Sequence, residues 1–515
     1  MNLFIRKNFI LLITLLVLAA LFIAAAQGMS QQDFVITLLR GLAVGSITFL
    51  VASGFSLIFG LLDVLNLAHG TLFMIGAYIG WTVFVRPDTF VDLLTPIALA
   101  ISGFTLGRLY PLLARRINPG SQMKQILPWV LVILSLLLFG FILPRYPVAI
   151  WNTENYGQSP VTYAFMANQG TRLPASPATF TEISPALALT GLLLASFLGA
   201  FGLSLFTQDT HRQNHLSWQT FTAFVVLLVI GLISFLFNDA LTAALLGLSS
   251  NWLFLVSVLV AVLSGAGLGA LIESTLIRPL YSRPIYQLML TLGMSAIGIE
   301  IVRAVWGRPE FVMPKPAFFN GTGGACPAAS IADWWANNCS TILLWDGRVR
   351  VYNEIFIPLV GLVVLVSIWL LLQRTRLGMV IRAGVQDREM VEALGINVRR
   401  VFTMVFSLGV GLAALGGSLA APSSGLSNVM GESLFLNALI ALAIGGLTNY
   451  PGAALGSVLV GLIQQFIIKY GQIGIAIPFT EIVFKPSPPL VPASTVLLMV
   501  IILLILPNGL LGRKE

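Results

Sequence analysis

The chain has 515 residues, of which 57% are hydrophobic and only 9% charged, where a soluble domain carries about 25% charged residues. That balance excludes an ordinary soluble protein, and the continuous apolar runs disfavour a transmembrane barrel, whose strands alternate. The fold class expected is all-α, a polytopic integral membrane bundle, with the net charge of +8 read as basic cytoplasmic loops and not as a nucleic-acid surface.

A helix needs about 20 apolar residues to cross the roughly 30 Å hydrocarbon layer. In chain order, spans are predicted at 9–26, 35–58, 69–85, 91–107, 127–143, 186–206, 220–237, 252–276, 288–305, 355–373, 400–421, 434–447, 452–470 and 491–507. The stretch 434–447 is short enough to be re-entrant or half of a broken helix, so 12–14 crossings are expected. Residues 9–26 follow Arg6 and Lys7 and resemble a secretory signal. No convincing cleavage site follows before Asp33, so they are read as a retained helix.

Loop charges orient the spans. With the N-terminus in the cytoplasm, alternation puts four basic clusters inside: Arg108, Arg115, Arg116 and Lys124; Arg278 and Arg283; the arginines of 374–400; and Arg513 with Lys514. The outside then receives 144–185, with Trp151, Tyr156 and Tyr163 suited to an interface, and 306–354, which holds both cysteines. Cys326 and Cys339 in one loop facing an oxidising compartment are expected to pair, the alternative being two free thiols. Zinc is not expected, because neither has a His or Cys neighbour at ligand spacing. No P-loop, HExxH, GxSxG or CxxC occurs, so no catalytic or metal residues are assigned and no cofactor is expected.

Residues 41–76 read GLAVGSITFLVASGFSLIFGLLDVLNLAHGTLFMIG. Small residues let helices approach closely, and Asp63, Asn66 and His69 then fall between two apolar spans, bracketed by Gly60 and Gly70. Polar side chains beside interrupted helices are how transporters build sites within the membrane. Capping of the next helix competes with a pathway role for Asn66, and His69 alone also suits a packed, hydrogen-bonded position. Glu300 and Arg303, at i and i+3, suit a local ion pair. A place at the translocation mouth is the alternative, and Glu432, Asn437 and Asn449 are weaker pathway candidates.

The polar island QRTRLGMVIRAGVQDREMVEALGINVRR, 373–400, must sit in water or against a soluble partner. Within it, QDREMVEALG favours a short helix that stops at Gly395, with Met390, Val391 and Leu394 as an apolar ridge. Such a helix can dock in a partner's groove.

LIFGLLDVLNLAHGTLFMIGAYIG resembles the first signature of the branched-chain amino acid permeases (LivH-type) of ATP-binding-cassette importers. In order, 272–300, 382–417, 441–466 and LPNGLLGR at 506–513 resemble further family segments. The resemblance covers roughly 35–84 and 252–513, leaving 85–251 without a counterpart. The expected organisation is therefore an N-terminal helix at 1–33, a permease core at 34–84 and 252–515, and an inserted segment of about four helices at 85–251. An extracytoplasmic loop at 306–354 and a cytoplasmic coupling loop at 374–400 belong to the core.

The family implies a multi-pass protein of the bacterial plasma membrane, with both termini cytoplasmic. Its partners would be ATPase subunits, a second homologous permease, an extracytoplasmic substrate-binding protein and membrane lipids. ATPase docking would fall to Gln386, Asp387, Arg388, Glu389, Glu392, Leu394 and Gly395, and ATP hydrolysis to the partners. Branched-chain amino acids are the implied cargo, and urea or short amides the alternative. An ion-coupled secondary transporter would need buried charges in the spans, and a membrane enzyme would need clustered His, Asp or Glu.

Overall fold

The computed structural model describes residues 16, 20, 22–23, 28–107, 109–110, 113, 121–148, 180, 182–206, 218–281, 283–307, 310, 312–386, 388–476 and 483–512. Most of span 9–26, loop residues Trp151, Tyr156 and Tyr163, the basic residues Arg108, Arg115, Arg116, Arg513 and Lys514, and Asp387 lie outside them. Among the described residues the protein is helical, with nine helices long and apolar enough to cross a membrane and a tenth if one bent pair is counted. Three shorter apolar helices accompany them. It is a polytopic helical membrane protein.

The helices in chain order are α1 (Gln31–Leu62), α2 (His69–Val85), α3 (Pro87–Thr105), α4 (Ser121–Ile142), α5 (Pro185–Phe206), α6 (Trp218–Leu236), α7 (Asn238–Gly247), α8 (Ser250–Ile272) and α9 (Pro284–Trp306). Then come α10 (Ile331–Asn337), α11 (Ile357–Arg374), α12 (Arg376–Gln386), α13 (Arg388–Ala393), α14 (Val398–Ser424), α15 (Met430–Gly445), α16 (Tyr450–Ile473) and α17 (Leu490–Ile505). The chain divides into two compact units, one of Met1–Trp81 with Ser250–Glu515 and one of Thr82–Ser249.

In the first unit the long helices start and stop at local signals. Ser30 accepts from the Asp33 N–H to cap α1, Asn397 accepts from Arg400 to cap α14, and Asn449 accepts from Gly452 to cap α16. Pro451 fits the first turn of α16, where its missing N–H costs nothing. The α1–α16 contact is made by backbone: a Cβ on Gly45 would lie 2.9 Å from the Ser457 carbonyl, so only glycine permits the approach. Lys469 of α16 pairs with Asp33 at 2.5 Å near the same ends.

Residues 312–350 fold into a small cap. The short α10 lies beside a two-stranded antiparallel ribbon of β1 (Thr341–Leu344) and β2 (Gly347–Arg350), in which Ile342 is opposite Val349. Cys326 and Cys339 are joined by a disulfide, with their Cα atoms 5.5 Å apart. Trp334 donates from Nε1 to the Cys339 carbonyl at 2.9 Å, meets Phe318 edge to face and stacks on Phe319. A π-helical turn, Val351–Phe356, leads from this cap into α11.

The second unit packs α4 on α5, α6 on α3 and α3 on α5. Several of its buried serine hydroxyls are satisfied by neighbouring carbonyls, as lipid offers no water to do so. Ser135 donates to Ala195, and Ser196 donates to Ala100 while accepting from the Gly103 N–H. Helices α6 and α7 meet at a break bent by 81°.

Candidate functional site

The most unusual backbone of the first unit lies between α1 and α2. Asp63 ends α1 in the left-handed conformation (φ 52°), with its N–H bonded to Phe59. The next residues are not helical, yet Val64, Asn66 and Ala68 are buried. The Nε2 of His69, the first residue of α2, lies 3.1 Å from the carbonyl oxygen of Val51. Val51 precedes the end of α1 by eleven residues, roughly 16 Å of helix. The chain therefore turns back along α1 before α2 begins, a re-entrant path of the kind tolerated at membrane depth only where protein buries it.

Three buried polar atoms in this turn have no hydrogen-bond partner: Asn66 Oδ1, Asn66 Nδ2 and His69 Nδ1. Because a carbonyl can only accept, His69 Nε2 carries the proton and Nδ1 is left as an acceptor. Each orphan group costs about 1–3 kcal/mol. The Asn66 side chain caps nothing, and only its backbone carbonyl is used, accepting from the His69 N–H at 3.1 Å.

The walls are aromatic rings and close backbone. Phe55 and Phe435 lie 5.9 and 6.4 Å from the imidazole, centroid to centroid. A Cβ on Gly54 would meet the Gly409 carbonyl and come within 3.0 Å of His69 Nε2, so α14 presses against α1 at the level of the histidine. Helix α9 is fastened to the turn by Thr291, which donates to the Leu65 carbonyl at 3.3 Å, and by the Thr71–Ser295 hydroxyl pair at 2.6 Å.

The other pathway candidates lie elsewhere. Asp63 is exposed. Glu300 and Arg303 form a 2.5 Å ion pair, with Glu300 exposed on α9. Asn437 accepts from Gln464 at 3.1 Å, linking α15 to α16, and Glu432 is exposed. Asn449 is consumed by its capping role and by a bond from Nδ2 to the Leu511 carbonyl.

The polar island is helical in two pieces, α12 and α13. In α12, Leu377, Ile381 and Gly384 turn inward while Met379 and Arg382 face out. In α13, Val391 is buried in one cluster with Ile277, Ile381, Val398 and Phe402. The ridge read from the sequence is therefore split: Val391 anchors the helix, whereas Met390 and Leu394 are 62% and 71% exposed. Glu392 is also exposed, Gln386, Arg388 and Glu389 are helical, and Asp387 falls outside the described residues. Gly395 (φ 80°) terminates the segment by donating to the Glu392 carbonyl, and Ile396 donates to Val391. Two residues later α14 begins, so α13 is attached directly to the helix that presses on the His69 turn.

Sequence reasoning passed over two buried glutamates at π-helical turns. Glu273, fully buried at the end of α8, holds Arg278 (Nη2–Oε2 2.6 Å), Tyr281 (2.8 Å) and Thr403 of α14 (2.7 Å). Glu354, 1% exposed, holds Arg40 at 2.9 Å and the Arg350 N–H at 2.8 Å. The signal available was a lone acid at the edge of an apolar run with an arginine near it in sequence: Arg278 after Glu273, Arg350 before Glu354.

Comparison with known proteins settles the family. The model of the family described as "Branched-chain amino acid transport system / permease component" matches residues 216–506. The chain belongs to this permease family. Relatives include the high-affinity branched-chain amino acid transport system permease protein LivH of Escherichia coli K12, 24% identical over 286 residues, which are 55% of this permease and 82% of LivH. The Pseudomonas aeruginosa permease BraD is 30% identical over 171 residues, 33% of this chain and 51% of BraD. The fructose import permease FruF of Bifidobacterium longum is 28% identical over 120 residues, 22% of this chain and 34% of FruF. No solved structure matches this permease.

Proposed function

We propose that this permease is the membrane-spanning subunit of an ATP-binding-cassette importer for branched-chain amino acids, driven by separate ATPases that dock on α12 and α13. It works with a second homologous permease and an extracytoplasmic binding protein. It lies in a bacterial plasma membrane with both termini in the cytoplasm. The observation that carries the reading is α13: Val391 is held in the core while Met390 and Leu394 face outward beside Glu392. An apolar pair beside a charge, on a short anchored helix, suits a groove in a soluble partner.

Closure of the ATPases on ATP would displace α13 and, through Gly395 and Asn397, the start of α14. Since α14 touches α1 at Gly54 and Gly409, its movement reaches the turn that holds Asn66 and His69. There one donor and two acceptors await a polar group, and the Phe55 and Phe435 rings suit an apolar side chain. The likeness to LivH and BraD supports branched-chain cargo, and the likeness to FruF makes a sugar the second reading.

Glu392→Arg combined with Leu394→Asp abolishes co-purification of the ATPases while membrane insertion is retained. Undiminished co-purification rejects the docking assignment. Uptake of leucine, urea and fructose by the reconstituted complex then separates the cargoes.

A further inference from the structure

The rim where the cap of 312–350 meets α1 and α11 carries more positive charge than its acids answer. One oxygen of the buried Glu354 accepts from Arg40 Nε at 2.9 Å and from Arg350 Nε at 3.3 Å, and the other accepts from the Arg350 N–H at 2.8 Å. Lys315 joins the group: it is within electrostatic reach of Arg350 and Glu354, and its Nζ lies 5.9 Å from the Tyr352 ring centre. Burial first, and then the Arg350 charge, hold its pKa below the ordinary lysine value, a strain that an added anion would relieve. Three cations thus surround one carboxylate.

The neighbouring acids do not balance them. Asp33, seven residues before Arg40 on α1, is paired with Lys469. Glu310 lies near Tyr78 of α2. Asp346 sits at the tip of the β1–β2 ribbon, whereas Arg350 is at its far end, opposite Thr341. Among the described residues each guanidinium is engaged only through Nε, and the two side chains are 40% and 48% exposed. The remaining N–H groups of an arginine lie in one plane, which suits the oxygens of a phosphate or carboxylate.

The depth of the group decides between ligands. Arg350 directly precedes the apolar span Val351–Arg374, so it lies where hydrocarbon gives way to headgroups, and Arg40 shares its glutamate at the same level. From there Ile355, Leu359, Leu362 and Val366, spaced by four, three and four residues, make one exposed apolar face running down α11. A cationic head above an apolar stripe matches an amphiphile, and the excess positive charge matches an anionic one. We propose that Arg40, Lys315 and Arg350 hold the headgroup phosphate of an anionic phospholipid, whose acyl chain lies along Ile355, Leu359 and Leu362. Basic pockets between membrane helices recognise such headgroups by charge.

The test uses the purified full-length permease, with bound lipid counted by native mass spectrometry as phosphatidylglycerol is titrated against phosphatidylcholine. The expected result is one phosphatidylglycerol held in preference to phosphatidylcholine. Lys315→Gln and Arg350→Gln should each weaken its retention about fivefold, as for one basic residue near an anionic headgroup. Should Arg350→Gln fail to fold, Lys315→Gln and Lys315→Arg decide the matter, the first weakening retention and the second preserving it. Equal retention of the two lipids overturns the site, as does a preference unchanged in the glutamine variants. Displacement of the lipid by millimolar glycerol phosphate would make it a site for a free oxyanion and overturn the lipid assignment. A cysteine at Leu359 that crosslinks to another protein subunit in the assembled complex overturns it equally.

Discussion

Asn66 spends stability on polarity. Its two amide atoms and His69 Nδ1 are enclosed without partners, an arrangement a purely structural turn would avoid by carrying leucine. Asn66→Leu should therefore stabilise the permease by about 1–3 kcal/mol while depressing uptake. Thermal unfolding and transport by the reconstituted complex read the two effects, and a variant that is destabilised yet transports normally would contradict the role. Gly54 acts through space rather than chemistry. Gly54→Val drives a side chain into the Gly409 carbonyl and the imidazole, with an expected loss of about 1–3 kcal/mol from overpacking. A Tm equal to wild type would show that α1 and α14 are not closely apposed there.

At the scale of elements, the helices were legible because lipid demands length and apolarity, and both are written in composition. The span expected at 69–85 is helix α2, His69–Val85, residue for residue. The short stretch 434–447 is the sixteen-residue α15. Depth was not legible: nothing in LLDVLNLAHG says that His69 lies beside Val51, because that register depends on Gly54 and Gly409 meeting across two helices. Nor was it visible that Val391 faces inward, since an apolar ridge on a short helix has the same spacing whichever way it turns. The elbow after α8 depends on Glu273, which ties Arg278, Tyr281 and Thr403 together. Glu273→Ala should cost about 3–5 kcal/mol, as for other buried pairs that lose one partner, and thermal unfolding of the purified chain measures it. In the cap, reducing the Cys326–Cys339 bridge frees a loop spanning 13 residues, worth about 3 kcal/mol by loop closure. Limited proteolysis should then cut within 312–350 faster after reduction, and an unchanged rate would mean that the aromatic cluster alone holds the cap.

For the whole molecule, each unit bears differently on function. The family segments of the first unit carry both the interrupted turn at Asn66 and the α12–α13 knuckle, and α14 joins them mechanically. The second unit reads from sequence only as apolar spans, and its buried Asp88 and Asp92 were easy to pass over beside so many leucines. Their burial goes with bonds from Arg86 to Asp88 and from Asn238 to Asp92, the latter spanning well over a hundred residues of sequence. The proposed docking role requires α13 to lie on the cytoplasmic side of the membrane and to touch an ATPase. A cysteine placed at Leu394 in cells expressing the complete transporter decides this directly. The expected result is a crosslink from position 394 to a nucleotide-hydrolysing subunit, with no labelling of intact cells by a membrane-impermeant maleimide. Labelling from outside, or no crosslink to such a subunit, contradicts it.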